Sequence, residues 1–318
     1  MKYIVSLGLT VSCFCQKGNE SNNFREVLSI GNSKGVAFIE VGEIVTDRQG
    51  FIYVTDAYGY KVKKFSADGK CRGEFGSRGK QTGQFQAGPY KIDCMSDTLA
   101  VVDLGTSTVQ FFTADMKSAG EMHTSSPIVD IAFNTHGQLF VSTANLYKQN
   151  EEVLMLYDRT GAVVSKVTLN SLSGAAAMDM ILICTTPDDH LVVAFVNRNK
   201  IILYDSTLRV VSECKIAGLP DQSASNAPKV EGFGSIPEGE IFRDIGATKD
   251  GKIFLLGGFY SPHPNRDVYI LDRNLNQLST MVLPGETGLL YIDKNGAIFT
   301  REKKRTVVKK YLLKNSSF

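Results

Sequence analysis

The sequence predicts an all-β fold in which a four-stranded antiparallel unit is repeated around a ring. The first observation is the stretch 43–76, EIVTDRQGFIYVTDAYGYKVKKFSADGKCRGEFG, where short alternating runs are separated by Gly-containing turns. The second is that similar pairs of strands recur at intervals of about 40 to 60 residues, the period of propeller blades. The third is that the last copy lacks a fourth strand, which residues 24–30 can supply. We therefore predict a six-bladed β-propeller of four-stranded antiparallel blades, closed by an N-terminal strand.

The length and composition allow one large folded domain or two ordinary ones, and the charge argues against a nucleic-acid partner. The chain has 318 residues, of which 43% are hydrophobic, and a net charge of +2. This balance does not provide the strongly positive field that holds nucleic acid. Four cysteines, Cys71, Cys94, Cys184 and Cys214, lie in apolar runs without a C-x-x-C spacing. They are predicted to be small buried residues rather than zinc ligands or disulfide partners.

The first 15 residues, MKYIVSLGLTVSCFC, have the pattern of a secretory signal. Ser12 before Cys13 resembles the lipobox of bacterial lipoproteins, although Thr10 stands where that pattern prefers Leu. The resemblance implies cleavage before Cys13, a lipid anchor on its sulfur, and attachment to the outer membrane on the periplasmic or the surface side. An ordinary cleaved signal is the alternative. Residues 16–23 would form a tether, and residues 24–318 the propeller.

The repeat is carried by the second and third strand of each unit. The second strands are FIYVT (51–55), TLAVV (98–102), QLFVS (138–142), HLVVA (190–194), KIFLL (252–256) and AIFTR (297–301). The third strands are KVKKF (61–65), TVQFF (108–112), VLMLY (153–157), KIILY (200–204), DVYIL (267–271) and VVKKY (307–311). These runs place the blades at 41–76, 87–125, 127–168, 176–217, 241–283 and 288–313.

The segment FREVLSI (24–30) precedes the first blade and is predicted to complete the last one. This pairing would close the ring and remove an open sheet edge.

Two motifs in the first units resemble the NHL repeat of six-bladed β-propellers. They are GFIYVTD (50–56) and FGSRGKQTGQFQAGP (75–89), and the match is good over residues 43–112. With its lipobox-like N-terminus, the whole chain resembles six-bladed propeller lipoproteins of Gram-negative gut-type bacteria, a resemblance that implies a fold and a location but little function. Asp56 and Asp103, which end second strands, are expected to accept backbone N–H bonds in Asx-type turns.

Acidic residues recur at one position of the first strands, which line the central channel. Counting back seven residues from the glycine of the first turn gives Glu43, Asp130 and Asp244. Lys91 and Arg243 lie nearby and could neutralise them. Two interpretations follow: a solvated, partly paired ring, or a site for a cation such as Ca²⁺, which prefers oxygen ligands.

Long insertions fall on one face of the predicted ring, at 144–152, 219–240 and 257–266. Long loops gathered on one face are typical of a binding surface, although drift in loop length would give the same pattern. The aromatic residues carried there are Tyr58, Tyr60, Tyr147, Phe259 and Tyr260, and His263 is the histidine placed in a loop of this face. Such side chains suit sugar rings or a protein partner.

Two classes of function follow. The first is a non-catalytic ligand- or protein-binding propeller on the cell envelope, whose partner is a glycan or an envelope protein. The second is a calcium-dependent hydrolase or lyase of the lactonase-like propeller type. Glu43 and Asp244 resemble two of the acidic ligands in gluconolactonase-like propellers, but no Asn stands at a matching level. A G-x-S-x-G nucleophile motif is absent from the sequence.

Overall fold

The computed structural model describes residues 23–31, 36–144, 151–170, 180–223 and 237–314. The predicted signal peptide, Cys13, the predicted tether up to residue 22 and Tyr147 lie outside the described residues.

The described residues form 24 strands, which we number in chain order. The first strand, β1, spans Phe24–Ile30. Blade 1 comprises β2 (Val41–Thr46), β3 (Ile52–Asp56), β4 (Lys61–Phe65) and β5 (Cys71–Phe75). Blade 2 comprises β6 (Pro89–Met95), β7 (Thr98–Asp103), β8 (Thr108–Thr113) and β9 (Ser118–His123). Blade 3 comprises β10 (Ile128–Phe133), β11 (Leu139–Ala144), β12 (Glu151–Tyr157) and β13 (Val163–Asn170). Blade 4 comprises β14 (Ile181–Thr185), β15 (Leu191–Phe195), β16 (Ile201–Tyr204) and β17 (Val210–Cys214). Blade 5 comprises β18 (Phe242–Ala247), β19 (Ile253–Gly257), β20 (Asp267–Leu271) and β21 (Gln277–Val282). Blade 6 comprises β22 (Leu290–Ile292), β23 (Ile298–Arg301) and β24 (Val308–Leu313), together with β1.

Each blade is one four-stranded antiparallel sheet, which confirms the predicted repeat. In blades 1 to 5 the strands follow chain order, and in blade 6 the order is β1-β24-β23-β22. The predicted closing strand pairs antiparallel with β24, from Phe24 opposite Leu313 to Ile30 opposite Val308, with a bulge between Glu26 and Leu28. The N-terminal strand is therefore the outermost strand of the last blade, and it closes the ring.

The hydrophobic core lies between neighbouring blades rather than inside any one of them. Six clusters of buried apolar side chains occupy the six seams of the ring. Phe85, which is fully buried, packs with residues of both blade 1 and blade 2. The last seam joins Phe299 of blade 6 to Ile44 of blade 1. Each blade therefore depends on both of its neighbours for burial of its two faces.

The ring has two faces. The "loop face" carries the connections between second and third strands and the segments that lead into each blade. The "turn face" carries the first and third hairpin turns. In four blades the first turn has a glycine with positive φ (Gly50, Gly137, Gly251 and Gly296), a conformation that glycine adopts without steric cost.

Asp56 and Asp103 both accept backbone N–H bonds, but not from the turns that follow them. Asp56 Oδ1 accepts from Ile39 N at 2.9 Å and Glu40 N at 3.0 Å, in the segment that leads into the same blade. Asp103 likewise accepts three bonds from the backbone of residues 86–88. The predicted role as acceptors is correct, whereas the predicted Asx turn is wrong. These buried carboxylates fix the chain on the loop face.

The described cysteines are free thiols, and their burial differs from the prediction. Cys184 is buried on the innermost strand of blade 4, but Cys71 is exposed on the outermost strand of blade 1. Among the residues that the structure describes, there is no helix long and apolar enough to span a membrane.

Candidate functional site

The innermost strands of the six blades surround the central channel. Each inner strand contacts the inner strand of the next blade, from β2 in blade 1 to β22 in blade 6. The circle is closed by a hydrogen bond that Thr46 N of β2 donates to the Tyr291 hydroxyl of β22 at 3.0 Å. A cavity of about 340 Å³ occupies this channel. It is lined at one end by the four charged residues predicted for the channel, Glu43, Lys91, Asp130 and Asp244, and at the other by exposed residues of the first turns, Thr135, Pro187, Lys249 and Lys294. The cavity therefore opens on the turn face, opposite the face that carries the long loops.

Lys91 is the central charge of the channel. Its Nζ lies 2.8 Å from Glu43 Oε2 and 3.5 Å from Asp130 Oδ1. The side chains of Lys91, Glu43 and Asp130 are only 12%, 13% and 7% exposed. Burial alone would lower the pKa of Lys91, but the carboxylates of Asp130 and Glu43 outweigh it and raise that pKa well above its usual value. The ammonium group is thus the cation that two of the predicted acidic residues bind.

Asp130 and Asp244 also link neighbouring blades. Asp130 accepts from Ile131 N on its own strand and from Ile183 N on the inner strand of blade 4, both at 3.0 Å. Asp244 accepts from Ile245 N at 2.9 Å and from Leu290 N of blade 6 at 2.7 Å. Each carboxylate therefore uses both oxygens on backbone donors, one on each side of a seam. This is a structural role that sequence spacing did not reveal.

Asp93 performs the same role between blades 2 and 3, and the sequence analysis missed it. Its two oxygens accept from Cys94 N at 2.7 Å and from Phe133 N at 2.6 Å. Asp93 comes two residues after Lys91 in β6, on the same side of the strand. The sequence signal that could have identified Asp93 is the pair of ionisable residues, Lys91 and Asp93, at alternate positions of one inner strand.

Burial shifts the ionisation of these carboxyl groups. The pKa of Asp93 is raised to about 7, mainly because the group is desolvated. The pKa of Asp244 is also raised to about 7, first by burial and then by the charge of Glu43. Burial raises the pKa of Asp130 as well, although Lys91 opposes this shift. Two carboxyl groups of the channel therefore titrate near neutral pH.

These shifts predict that stability falls as the pH rises from 5.5 to 7.5. An unfolded Asp has a pKa of about 3.9, so in this window the folded chain binds more protons than the unfolded chain. The free energy of unfolding should then fall on the order of 1 kcal/mol per pH unit for each such group. Chemical denaturation at several pH values measures this slope, and Asp244→Asn should reduce it. An unchanged slope in that variant would show that Asp244 does not titrate in this range.

The three carboxylates predicted as calcium ligands are not gathered into a ligand set. Within the described part of the chain, no group of three or more His, Cys, Asp or Glu side chains is arranged to hold a metal ion. Glu43 binds Lys91, while Asp130 and Asp244 accept backbone N–H bonds at two different seams. This arrangement favours the paired ring over the cation site.

Arg243 was expected to neutralise the channel carboxylates, but its side chain contacts other residues. Its Nη1 lies 3.1 Å from Glu240 Oε2 and donates to Asn265 Oδ1 at 3.3 Å. The side chain thus extends over the loop face instead of into the channel. Arg301, the last residue of the predicted second strand AIFTR, ends β23 and is only 8% exposed.

The loop-face aromatic residues fall into two groups. Tyr58 and Phe259 are 54% and 56% exposed. Tyr60 and Tyr260 are partly buried and pack against the seam clusters, and Tyr260 forms an edge-on contact with Phe259 at a centroid distance of 5.2 Å. The surface that they were predicted to form together is therefore carried mainly by Tyr58 and Phe259.

His263 is held by a buried carboxylate on the same face. Its Nδ1 lies 2.9 Å from Asp267 Oδ1, and its backbone N–H donates to Asp267 Oδ2 at 2.9 Å. Asp267 is 2% exposed, whereas the His263 side chain is 45% exposed. The loop of blade 5 is thereby fixed to the start of β20.

Two exposed side chains of the loop face were missed by the sequence analysis. Ile39 is 65% exposed in the segment that leads into blade 1, and Tyr90 is 38% exposed near the start of β6. Every exposed aromatic side chain in the described residues, namely Tyr58, Tyr90 and Phe259, lies on this face. Ile39 is the last residue of the apolar run VAFI (36–39), which does not alternate with polar residues, so sequence patterns gave no signal that its side chain would be exposed.

No protein-family model matches the chain, and no curated protein sequence matches it. Its fold is similar to that of several solved β-propellers. A streptogramin B lyase structure is 17% identical, with a TM-score of 0.56 over 86% of this chain and 79% of that one. The Pan2 WD40 domain of Neurospora crassa is 9% identical, with a TM-score of 0.57 over 93% and 97%. BamB from Moraxella catarrhalis is 13% identical, with a TM-score of 0.50 over 93% and 99%. At these identities the similarity shows the fold alone, and the chain is a six-bladed β-propeller.

Proposed function

We propose that the protein is a non-catalytic binding propeller whose loop face captures a glycan or an envelope protein. The observation that carries this proposal is the position of the exposed aromatic side chains. Tyr58, Tyr90 and Phe259 all lie on one face of the ring, together with Ile39. Exposed apolar side chains gathered on one face are typical of interaction sites. Aromatic rings supply contact area at low entropic cost, both to sugar rings and to proteins.

The scaffold under these side chains is rigid, which favours binding. Asp56 holds the backbone of residues 39 and 40, and Asp267 holds the loop that follows Phe259. A surface fixed before the partner arrives loses less conformational entropy on association than a mobile one. Solved neighbours of the same fold include WD40 domains and BamB as well as a lyase, and a binding role is compatible with that range.

Display on the cell envelope through lipid on Cys13 is part of this proposal. It rests on the lipobox-like sequence around Cys13, and membrane fractionation of the wild type and Cys13→Ala checks it.

The binding proposal predicts that Tyr58→Ser combined with Phe259→Ser weakens capture at least tenfold and leaves the melting temperature unchanged. Both side chains are more than half exposed, so they contribute little to folding. A tenfold loss corresponds to about 1.4 kcal/mol, which is less than one strong contact residue contributes at an interface. The measurement is retention of the protein on a glycan array and on immobilised outer-membrane protein fractions.

Leu278→Ser is the matched control. Leu278 is 52% exposed, but it lies on the outermost strand of blade 5 rather than on the loop face. This variant should bind as the wild type does. If the double variant is captured as well as the wild type, the loop face is not the binding surface.

A further inference from the structure

Two arginine side chains from neighbouring blades converge over Gly288 on the loop face. A Cβ atom placed on Gly288 would lie 2.9 Å from Nη2 of Arg301 and 3.2 Å from Nη2 of Arg243. We propose that Arg243 and Arg301 bind an anionic group, a carboxylate, phosphate or sulfate, of the ligand that the loop face captures. This inference rests on the proposed function and names the ligand chemistry of that surface.

One edge of the Arg301 guanidinium group, formed by Nε and Nη2, makes only one long hydrogen bond among the described residues. Nη1 donates to Val41 O at 2.6 Å and to Gly42 O at 3.2 Å, across the seam between blades 6 and 1. Nη2 reaches only Gly288 O, at 3.4 Å, and the buried Nε has no hydrogen-bond partner among the described residues. Nε and Nη2 form the edge with which arginine makes paired bonds to an oxyanion.

Arg243 leaves the same edge available. Its Nη1 donates to Asn265 Oδ1 and lies 3.1 Å from Glu240 Oε2, a buried carboxylate oxygen that has no hydrogen-bond partner among the described residues. Its Nε is buried and, within the part of the chain that the structure describes, has no hydrogen-bond partner. The two guanidinium groups therefore approach each other with equivalent N–H donors unused.

The electrostatic environment favours an added anion. Like charges so close repel each other, and they are only partly offset by Glu240 and by the acidic channel beneath. Arg301 is 8% exposed, and its pKa is lowered by burial and by the neighbouring charge of Arg305. An oxyanion would satisfy unused donors and relieve this repulsion, while Arg243, whose side chain is 28% exposed, remains reachable from solvent.

Gly288 is the third component of this site. Any larger residue would place a Cβ atom 2.9 Å from Arg301 Nη2, which is too close, and 3.2 Å from Arg243 Nη2, which is a tight contact. The absence of a side chain therefore lets the two guanidinium groups converge on the backbone. Gly288→Ala should separate them while keeping both charges.

The experiment compares thermal unfolding of the full chain in 20 mM phosphate, sulfate or malonate with unfolding in chloride of equal ionic strength. We expect at least one of the three anions to raise the melting temperature of the wild type by a few degrees, since a ligand of the folded state stabilises it. A rise with malonate alone indicates a carboxylate ligand, and a rise with phosphate or sulfate indicates a phosphorylated or sulfated one. Arg243→Gln and Gly288→Ala should remove the rise. Arg72→Gln, on the outermost strand of blade 1, should keep it.

Equal rises in the wild type and Arg243→Gln would overturn the proposal, since they would reflect general salt stabilisation. No rise with any of the three anions would overturn it as well. Both results are independent of the capture assay with Tyr58→Ser and Phe259→Ser. A loop face that captures its ligand without an effect of Arg243 would reject the anion site and leave the binding function intact.

Discussion

Deletion of residues 24–30 is expected to prevent formation of a stable propeller. This segment is the outermost strand of blade 6, and its removal would leave the backbone groups of β24 unpaired along one edge. It would also remove Phe24, which packs edge-on against Tyr311, and Ile30, which is 2% exposed in the last seam. Burial of each such side chain contributes about 1.5–3 kcal/mol, so the loss of these two alone reaches the lower end of the roughly 5–15 kcal/mol that stabilises a whole domain, and the lost strand pairing adds to it. The expected result in circular dichroism and thermal unfolding is aggregation or a much lower melting temperature.

Two controls isolate the contribution of β1. A chain that begins at residue 23 keeps the strand and should melt as the full chain does. Glu26→Ala removes only a partly exposed contact with Lys309 and should have little effect. Unchanged melting after deletion of residues 24–30 would show that the ring is stable without its closing strand.

Lys91→Met is expected to lower the free energy of unfolding by about 3–5 kcal/mol, the cost of leaving buried charges without their partner. The substitution keeps the apolar stem but removes the ammonium group that Glu43 and Asp130 share. The two carboxylates would then face each other in a poorly solvated channel. Because burial raises the pKa of Asp130, that carboxylate can take up a proton as the pH falls, and the loss should be smaller at acidic pH. Urea denaturation at pH 7.5 and pH 5.5 measures both effects.

A compensating variant keeps this prediction specific. Lys91→Met combined with Glu43→Gln removes one of the two unpaired charges and should recover part of the lost stability. Lys200→Met is the matched surface control, because Lys200 and Glu213 are 36% and 60% exposed and such pairs contribute about 0–1 kcal/mol. If Lys91→Met is no more destabilising than Lys200→Met, the central ion pair does not stabilise the ring.

The strands could be predicted from sequence because each of them depends on a local pattern. The observed second strands, such as β3 and β19, coincide with the predicted FIYVT and KIFLL runs within one or two residues. Residues 24–30 could be assigned to blade 6 because the last copy of the repeat had no fourth strand. Both inferences use the period of two along a strand and the need to pair every sheet edge.

The partners of individual side chains could not be predicted in the same way. Glu43, Lys91 and Asp130 were correctly placed in the channel, yet the structure shows that Lys91 serves as their cation. Arg243 and Arg301 show the same limit. Arg243 was expected to neutralise the channel carboxylates and Arg301 was predicted only as the end of a strand, whereas both converge over Gly288.

The sequence by itself determined the number of blades, the order of their strands and the closing role of β1, since these follow from repeated local patterns. Only the tertiary structure decided which charges meet, which carboxylates link the seams and on which face the channel opens. The physical reason is that hydrogen bonds and ion pairs act over about 3 Å, and the blades bring together residues far apart in sequence, such as Asp244 and Leu290. Periodicity specifies the face of a strand on which a side chain lies, and the neighbouring blade determines what that side chain contacts.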